Sequence, residues 1–193
     1  MPPAKQALPT VAFSSREAFA EWLAENGASA PGLWVKFAKV ASGHPSVTTA
    51  EAIEEALAHG WIDGQGARFD DEWWLTRYTP RRPRSKWSKV NTEIVSRLIE
   101  GGVMAPAGMR EVEAAKADGR WDVAYDPPSR ATVPDDLRRA LDANPAALEF
   151  FNTLKGANRY AILYRVGEAK KPETRERRIG KFVAMLAEGK TLH

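Results

Sequence analysis

The pattern of hydrophobic residues near the N-terminus predicts a helix, a strand and a second helix. Phe19, Trp22 and Leu23 fall on one helical face, and we place this helix over residues 15–26. Apolar and polar residues alternate over residues 33–38, which is the period of a strand. A second apolar stripe at helical spacing follows this strand. This part of the chain is therefore predicted to combine helices with a sheet.

Both helices are preceded by a capping signal. Ser14 and Glu17 form a Ser-x-x-Glu pattern before the first helix, and Thr48 and Glu51 form the equivalent pattern before the second. In such a capping box the hydroxyl and the carboxylate satisfy backbone N–H groups that the first helical turn leaves without partners. Each helix is also followed by a glycine, which is a typical stop signal.

Two short strands are predicted next. Trp61–Asp63 is expected to form a strand that ends at Gly64–Gly66, and Glu72–Thr79 a second strand with aromatic residues on both faces. The two could pair as a hairpin. Ser85 is then a suitable N-cap for a third helix with one apolar side.

A proline-rich segment divides the chain. Residues 126–134 contain three prolines and few apolar residues, which predicts a linker. Beyond it the pattern is purely helical and includes Asn144–Pro145 as N-cap and first helical residue. We expect an α+β fold: a flexible N-terminus over residues 1–12, helices packed on a small sheet over residues 13–125, and an all-helical bundle over residues 135–193.

The composition narrows the class of protein. The 193 residues include no cysteine, which excludes disulfides and thiolate metal sites and fits a reducing compartment. The N-terminal MPPAKQALPTVAFSS lacks the apolar run of a secretion signal, and no apolar stretch is long enough to span a bilayer. We therefore expect a cytoplasmic protein without membrane insertion. No oligomeric state is predicted.

Familiar catalytic and metal-binding motifs are absent from the sequence. It contains no nucleophile elbow, no phosphate-binding P-loop, no dinucleotide fingerprint and no His-Glu-x-x-His. The three histidines, His44, His59 and His193, share no ligand spacing, and His59 near a helix C-terminus is explained by the helix dipole. We predict no metal and no cofactor, and a binding protein rather than an enzyme.

Charge is distributed unevenly although the net charge is only +3. Residues 14–72 carry four basic and ten acidic side chains. Residues 77–97 carry seven basic and one acidic, and residues 155–181 carry nine basic and three acidic. Such a field can steer anions or acidic partners toward the basic segments, although solvated helix faces would give the same pattern.

The first basic segment, Arg77–Asn91, is the main candidate site. Arginine forks, serine hydroxyls and the free N–H groups of a helix start can together hold a phosphate or carboxylate. Its candidate ligand-binding residues are Arg77, Arg84, Ser85, Trp87 and Asn91. Alternatively, Trp87 belongs to the core, Ser85 is only a cap, and the arginines pair with the acidic N-terminal half.

Trp61 and Asp63 extend this candidate site. They lie between two turn-forming glycines, and a carboxylate beside a tryptophan could orient an arginine or act as a general base. An enzyme acting on a small acidic or peptide-like substrate would use Asp63 in this way, and it requires Asp63 to face Arg77 or Arg84. The alternative is that Asp63 caps a turn or pairs with a nearby arginine.

The second basic segment, Ala169–Ile179, begins a helix with Pro172 in its first turn. Its cations could grip nucleic-acid phosphates. Pairing with Glu173 and Glu176 on the same helix is the alternative. No known nucleic-acid-reading module is visible in the sequence.

Four of these segments also carry a family resemblance. Gly60–Gly64 (GWIDG), Arg77–Asn91, Ala114–Trp121 (AAKADGRW) and Ala169–Ile179 (AKKPETRERRI) together resemble the YdeI/OmpD-associated family of bacterial proteins, over residues 13–189. The resemblance implies that residues 135–193 are the OmpD-associated-like domain. It also implies a link to bacteriocin protection and to tolerance of cationic antimicrobial peptides, with a porin association in some members. It supplies no catalytic residues, and it favours a non-enzymatic stress or resistance protein that binds a small anion or a protein partner.

Overall fold

The protein divides into two compact units, one ending at Ala124 and the other beginning at Tyr125. The computed structural model describes residues 8–192. The predicted flexible N-terminus falls mostly outside the described residues. Its last part does not, because Thr10–Ala12 form a strand of the sheet. Three residues are too few for alternation to indicate a strand from sequence.

The N-terminal unit contains four strands, four α-helices and one 3₁₀ turn within the described residues. Its elements are β1 (Thr10–Ala12), α1 (Arg16–Asn26), β2 (Leu33–Ala38), the 3₁₀ turn Val40–Ser42, α2 (Thr49–Ala58), β3 (Trp61–Arg68), β4 (Trp73–Pro80), α3 (Lys89–Glu100) and α4 (Pro106–Ala117).

The strands form one mixed sheet in the order β1-β2-β4-β3. β1 runs parallel to β2, while β2 and β3 both pair antiparallel with β4. The predicted β3–β4 hairpin is confirmed, but β3 continues through Gly64 and Gly66 to Arg68. A bulge between Asp63 and Gly66 absorbs one extra residue, so the glycines mark an irregularity within the strand and not its end.

Alternation along the central strands separates two faces of this sheet. Leu33, Val35 and Phe37 on β2 and Tyr78 on β4 are fully buried against Phe19 of α1. We call this side the inner face. The residues between them in sequence point to the opposite side, which we call the outer face.

A second core of the N-terminal unit lies among its later helices. Leu57 of α2, Val95 of α3 and Val112 of α4 pack there with the buried ring of Trp87. Gly108 lets α4 approach α2 closely, because an added Cβ would lie 2.1 Å from the Ala58 carbonyl oxygen.

Two predicted helix caps lie at different residues in the structure. The capping box at Thr48 is confirmed, but α1 is capped by Ser15, not Ser14, and α3 by Ser88, not Ser85. Local sequence offers several serines near each helix start. The position of the buried side chains decides which serine lies at the cap, and Trp87 enters the core before α3 begins.

The C-terminal unit is helical, which confirms the predicted α+β fold class with a C-terminal helical part. Residues 126–134 contain no helix or strand. Asn144 caps its helix by accepting a hydrogen bond from the Ala147 N–H at 3.1 Å, and Pro145 is the first helical residue, as predicted. The helices are α5 (Asp135–Asp142), α6 (Pro145–Thr153), α7 (Gly156–Gly167) and α8 (Pro172–Ala187).

This unit has its own apolar core. Leu141, Phe151, Ile162, Val166 and Leu186 are almost completely buried in it and come from all four helices. Within residues 8–192, no helix has the length and apolar character needed to cross a membrane.

Candidate functional site

A tight turn at Arg82–Ser85 connects the sheet to α3. The Ser85 N–H donates to the Arg82 carbonyl oxygen at 2.9 Å, and the Arg82 N–H donates to the Ser85 hydroxyl oxygen at 3.0 Å. Pro83 has φ near −65° by its ring, and Arg84 follows with a φ of +67°. A negative φ followed by a positive one defines a type II turn. We call residues Arg82–Ser85 the basic turn.

Arg84 occupies the position of this turn at which glycine is normally found. It is the one non-glycine residue with positive φ among those that the structure describes. A left-handed conformation costs a non-glycine residue about 1–3 kcal/mol, and such strain is concentrated at functional sites. The Arg84 side chain is exposed, so core packing does not account for an arginine at this position.

The basic turn presents two guanidinium groups to solvent. Arg82 and Arg84 flank Pro83 and are both exposed. Their side chains form no hydrogen bond or ion pair with any residue of the described chain. The sequence-based alternative that these arginines pair with the acidic N-terminal half is therefore wrong for these two residues.

Arg81 and Trp87, which lie on either side of the basic turn, stack on each other in the interior. Arg81 is 5% exposed, and its guanidinium carbon lies 3.7 Å from the centroid of the Trp87 ring. Its Nη2 donates to the Lys86 carbonyl oxygen at 2.7 Å, and its backbone N–H donates to the Gly60 carbonyl oxygen at 2.9 Å. Arg81 therefore ties the end of β4 to the residues that lead into α3.

A second arginine supports the turn from the segment after α4. The Arg120 Nη1 donates to the Ser85 carbonyl oxygen at 2.7 Å, while its Nε pairs with Asp118 at the same distance. Trp121, the next residue, packs against Trp87 with ring centroids 5.1 Å apart. The AAKADGRW segment thus contacts the basic turn through Arg120 and the neighbouring Trp87 through Trp121.

The start of α3 follows the basic turn directly, and we call residues 81–91 together with Arg120 the junction. Ser88 caps the helix by accepting a hydrogen bond from the Asn91 N–H at 3.1 Å. Lys86 and Lys89 are exposed and add positive charge next to the helix N-terminus. Asn91 is half-buried in the first turn of the helix. Trp87 is 1% exposed, and so contributes to the core instead of to a ligand surface.

Asp63 and Arg77 lie on opposite faces of the sheet. Asp63 is the register partner of Tyr78, and directly paired residues share a face, whereas Arg77 precedes Tyr78 and points the other way. An added Cβ on Gly64 would lie 3.6 Å from the Arg77 Nε, which places that guanidinium over Gly64 on the outer face. The enzyme hypothesis required Asp63 to face Arg77 or Arg84. Asp63 does not face Arg77.

Asp63 is partly buried, and burial disfavours the ionised form of its carboxyl group. Burial raises its pKa, against the opposing effects of its own backbone N–H and of the Arg81 guanidinium. Burial and the nearby Asp63 charge also raise the pKa of the Tyr78 hydroxyl, which has no hydrogen-bond partner within the described chain. Arg81 is therefore the arginine whose charge lowers the pKa of Asp63.

Trp61 has a structural role in the inner core. Its Nε1 donates to the Gly27 carbonyl oxygen at 3.0 Å, and its ring meets Trp22 edge to face at 5.8 Å. The structure thus separates the predicted site residues. Arg84, Ser85 and Asn91 belong to the junction, Trp61 and Trp87 are core residues, and Asp63 and Arg77 face opposite sides of the sheet.

Sequence reasoning did not select Arg81, Arg82 or Arg120. The first two belong to the candidate segment, but nothing in the pattern shows which arginine is buried. Arg120 lies 35 residues beyond its partner Ser85, and the sequence marked it only as part of the AAKADGRW segment of the family resemblance. Among the described residues, no three histidine, aspartate or glutamate side chains come together as a metal site.

The basic segment of the C-terminal unit forms specific internal contacts. Arg175 on α8 binds Asp136 on α5 through two hydrogen bonds, of 2.5 and 2.9 Å, and donates to the Val166 carbonyl oxygen at 2.9 Å. These bonds lower the pKa of Asp136. Arg175 therefore connects α5, α7 and α8 and stabilises the bundle.

The fold and the junction define an α+β protein with a supported basic turn and a C-terminal helical domain. Residues 11–111 match the family described as Domain of unknown function (DUF8412), and the chain belongs to this family because the match covers more than half of it. Residues 130–189 match the family described as Bacteriocin-protection, YdeI or OmpD-Associated, which confirms the resemblance over these residues. No curated protein and no solved structure matches the chain.

Proposed function

We propose that this protein acts in bacterial stress or bacteriocin resistance by binding an anionic group, on a small molecule or a protein partner, at the basic turn. The observation that carries the proposal is the left-handed conformation of Arg84 at the apex of the turn. A glycine would adopt this backbone without strain. The arginine side chain is exposed and has no internal partner, so a binding role explains why a strained arginine occupies this position.

The chemistry of the turn favours a carboxylate or phosphate group. Guanidinium groups bind both anions through paired N–H donors, and these charge-assisted hydrogen bonds are stronger than neutral ones. Pro83 and the two hydrogen bonds between Arg82 and Ser85 fix the backbone before any ligand arrives. A pre-organised turn loses less conformational entropy on binding, which favours affinity.

The shape of the turn favours an anion displayed on a larger molecule. Arg82 and Arg84 stand on an exposed turn and do not line an enclosed cavity. The positive charge would repel a cationic antimicrobial peptide. We therefore propose that the protein binds an acidic partner and does not bind the cationic peptide directly.

A thermal-shift titration with inorganic phosphate and with poly-glutamate tests this proposal. We expect both anions to raise the melting temperature of the protein, and the double change Arg84→Ala and Ser85→Ala to reduce that rise. Arg139→Ala is the matched control, because it removes an exposed arginine from α5. An unchanged rise in the double variant, or an equal reduction in the control, would exclude the basic turn as the site.

A further inference from the structure

The outer face of the sheet carries aromatic and basic side chains on its two central strands. Trp34 and Lys36 lie on β2, and Trp73, Leu75 and Arg77 on β4. Trp34 is the register partner of Arg77, and Lys36 is the partner of Leu75, so these side chains form cross-strand pairs on one surface.

This surface is only partly covered. Each of the five side chains is half-buried, whereas Leu33, Val35, Phe37 and Tyr78 of the inner face are fully buried. None of the five belongs to any of the three apolar cores. A sheet face with two tryptophans outside every core is an unusual use of large apolar side chains and points to a binding surface.

The charge of this surface is positive. Its five side chains include two cations and no carboxylate. The Nε of Arg77 is buried and has no hydrogen-bond partner in the described part of the chain. Near the β3–β4 turn this charge is partly offset, because the Lys36 ammonium acts on the Asp70 carboxylate, while Asp71 pairs with Arg68 at 2.5 Å.

The Trp73 ring on this surface is already covered by side chains of the protein itself. The Lys36 ammonium lies 4.7 Å from the centroid of the Trp73 ring, and the His44 ring stacks on Trp73 at 5.1 Å with an interplanar angle of 16°. Trp34 and Ala38, the register partner of Trp73, are four residues apart on β2, or about 13 Å at the usual rise per residue. Trp34 is therefore well separated from the ring that His44 and Lys36 cover.

We infer that the outer face binds single-stranded nucleic acid, with a base stacked on Trp34 and phosphates held by Lys36 and Arg77. A four-stranded sheet with aromatic side chains on an open face is an established way to bind unpaired bases. Stacking on such rings tolerates any base, and the cations follow the backbone. This surface is separate from the basic turn and from the C-terminal segment that sequence alone suggested for nucleic acid.

Fluorescence anisotropy with a labelled oligothymidylate of about ten nucleotides tests the inference. We expect Trp34→Ala to weaken binding about tenfold and Trp34→Phe to retain most of it, because phenylalanine preserves a stacking ring. Two phosphate contacts predict a slope of about −1.4 for the logarithm of the association constant against the logarithm of salt concentration. Lys36→Gln with Arg77→Gln should flatten that slope.

Two controls distinguish base stacking on this surface from duplex binding and from binding at the basic turn. A duplex of the same sequence should bind more weakly, because its bases are not available for stacking. Arg84→Ala should lower the affinity for the oligonucleotide less than Trp34→Ala does, since the basic turn is a different site. Equal binding of the duplex, or equal losses from Arg84→Ala and Trp34→Ala, would overturn the inference. If circular dichroism shows that Trp34→Ala does not fold, the variant with Lys36→Gln and Arg77→Gln decides the question, because an unchanged salt slope would overturn the inference.

Discussion

Arg84 shows how one residue can work against the stability of its own turn. Glycine is the usual residue at the third position of a type II turn because it has no Cβ to clash at positive φ. The chain has arginine there, exposed and with a φ of +67°. Stability and the proposed binding role therefore make opposite demands at this position.

This conflict gives a direct prediction. Arg84→Gly should raise the free energy of unfolding by about 1 kcal/mol, since the left-handed strain is removed. The same change should weaken phosphate binding, because one guanidinium is lost. Urea unfolding and a thermal-shift titration would measure the two effects.

The matched control lies two residues away. Arg82→Gly removes an equally exposed arginine from a backbone position without positive φ, so it should give no gain in stability. If Arg84→Gly proves less stable than the natural protein, the strain is not present in solution.

Asp63 provides a second test at the residue scale. Its folded-state pKa is raised above the ordinary value of 3.8, so the folded protein binds the proton more tightly than the unfolded chain does. Its contribution to the free energy of unfolding therefore becomes less favourable as pH rises from about 3.8 through the raised value, and stays unfavourable at neutral pH.

Asp63→Asn should therefore increase stability at neutral pH and remove this part of the pH dependence. Urea unfolding at a series of pH values would show both changes, with the exposed Asp122→Asn as a control. A loss of stability at neutral pH in Asp63→Asn would show that the ionised carboxylate is favourable where it lies.

At the scale of elements, the support of the basic turn comes from residues distant in sequence. The Arg120 side chain holds the Ser85 carbonyl oxygen, and the stack of Arg81 on Trp87 holds the other parts of the junction. Arg120→Ala removes no charge from the turn itself. We expect it to weaken phosphate binding about fivefold, which corresponds to one typical hydrogen bond that fixes the turn.

Isothermal titration with phosphate would measure this loss, and Lys116→Ala on the neighbouring helix is the control for a general charge effect. An affinity equal to that of the natural protein would mean that the turn keeps its shape without Arg120.

Local signals predicted most elements, and tertiary contacts decided the rest. The Thr48 capping box, the 33–38 strand and the Asn144–Pro145 helix start follow from local rules, and the structure confirms them. The α3 cap lies at Ser88 because Trp87 is drawn into the core before the helix begins. No local pattern contains that information.

The candidate site was harder to predict than the fold. Its segment could be found from charge and tryptophan content, but the faces of the sheet could not. The register that pairs Asp63 with Tyr78 places Asp63 and Arg77 on opposite sides, and only strand pairing determines that register. The left-handed conformation of Arg84 is equally invisible in sequence, where an arginine after a proline has no special signature.

At the scale of the whole molecule, the two units differ in how their basic segments are used. In the C-terminal unit, Arg175 is bound to Asp136 and Val166, so it serves the bundle. In the N-terminal unit, the side chains of Arg82 and Arg84 form no hydrogen bond or ion pair within the described residues. Lys170, Lys171 and Arg177 are also exposed in the C-terminal unit, so the left-handed backbone of Arg84 is the observation that supports the proposed anion site in the N-terminal unit.

A titration of the ¹⁵N-labelled protein with inorganic phosphate, followed by nuclear magnetic resonance, tests this assignment most directly. The account predicts that the largest amide shifts occur at Arg82, Arg84, Ser85 and the first turn of α3, and that they are lost in the Arg84→Ala variant. Shifts confined to other parts of the chain, such as the basic face of α8, would contradict it.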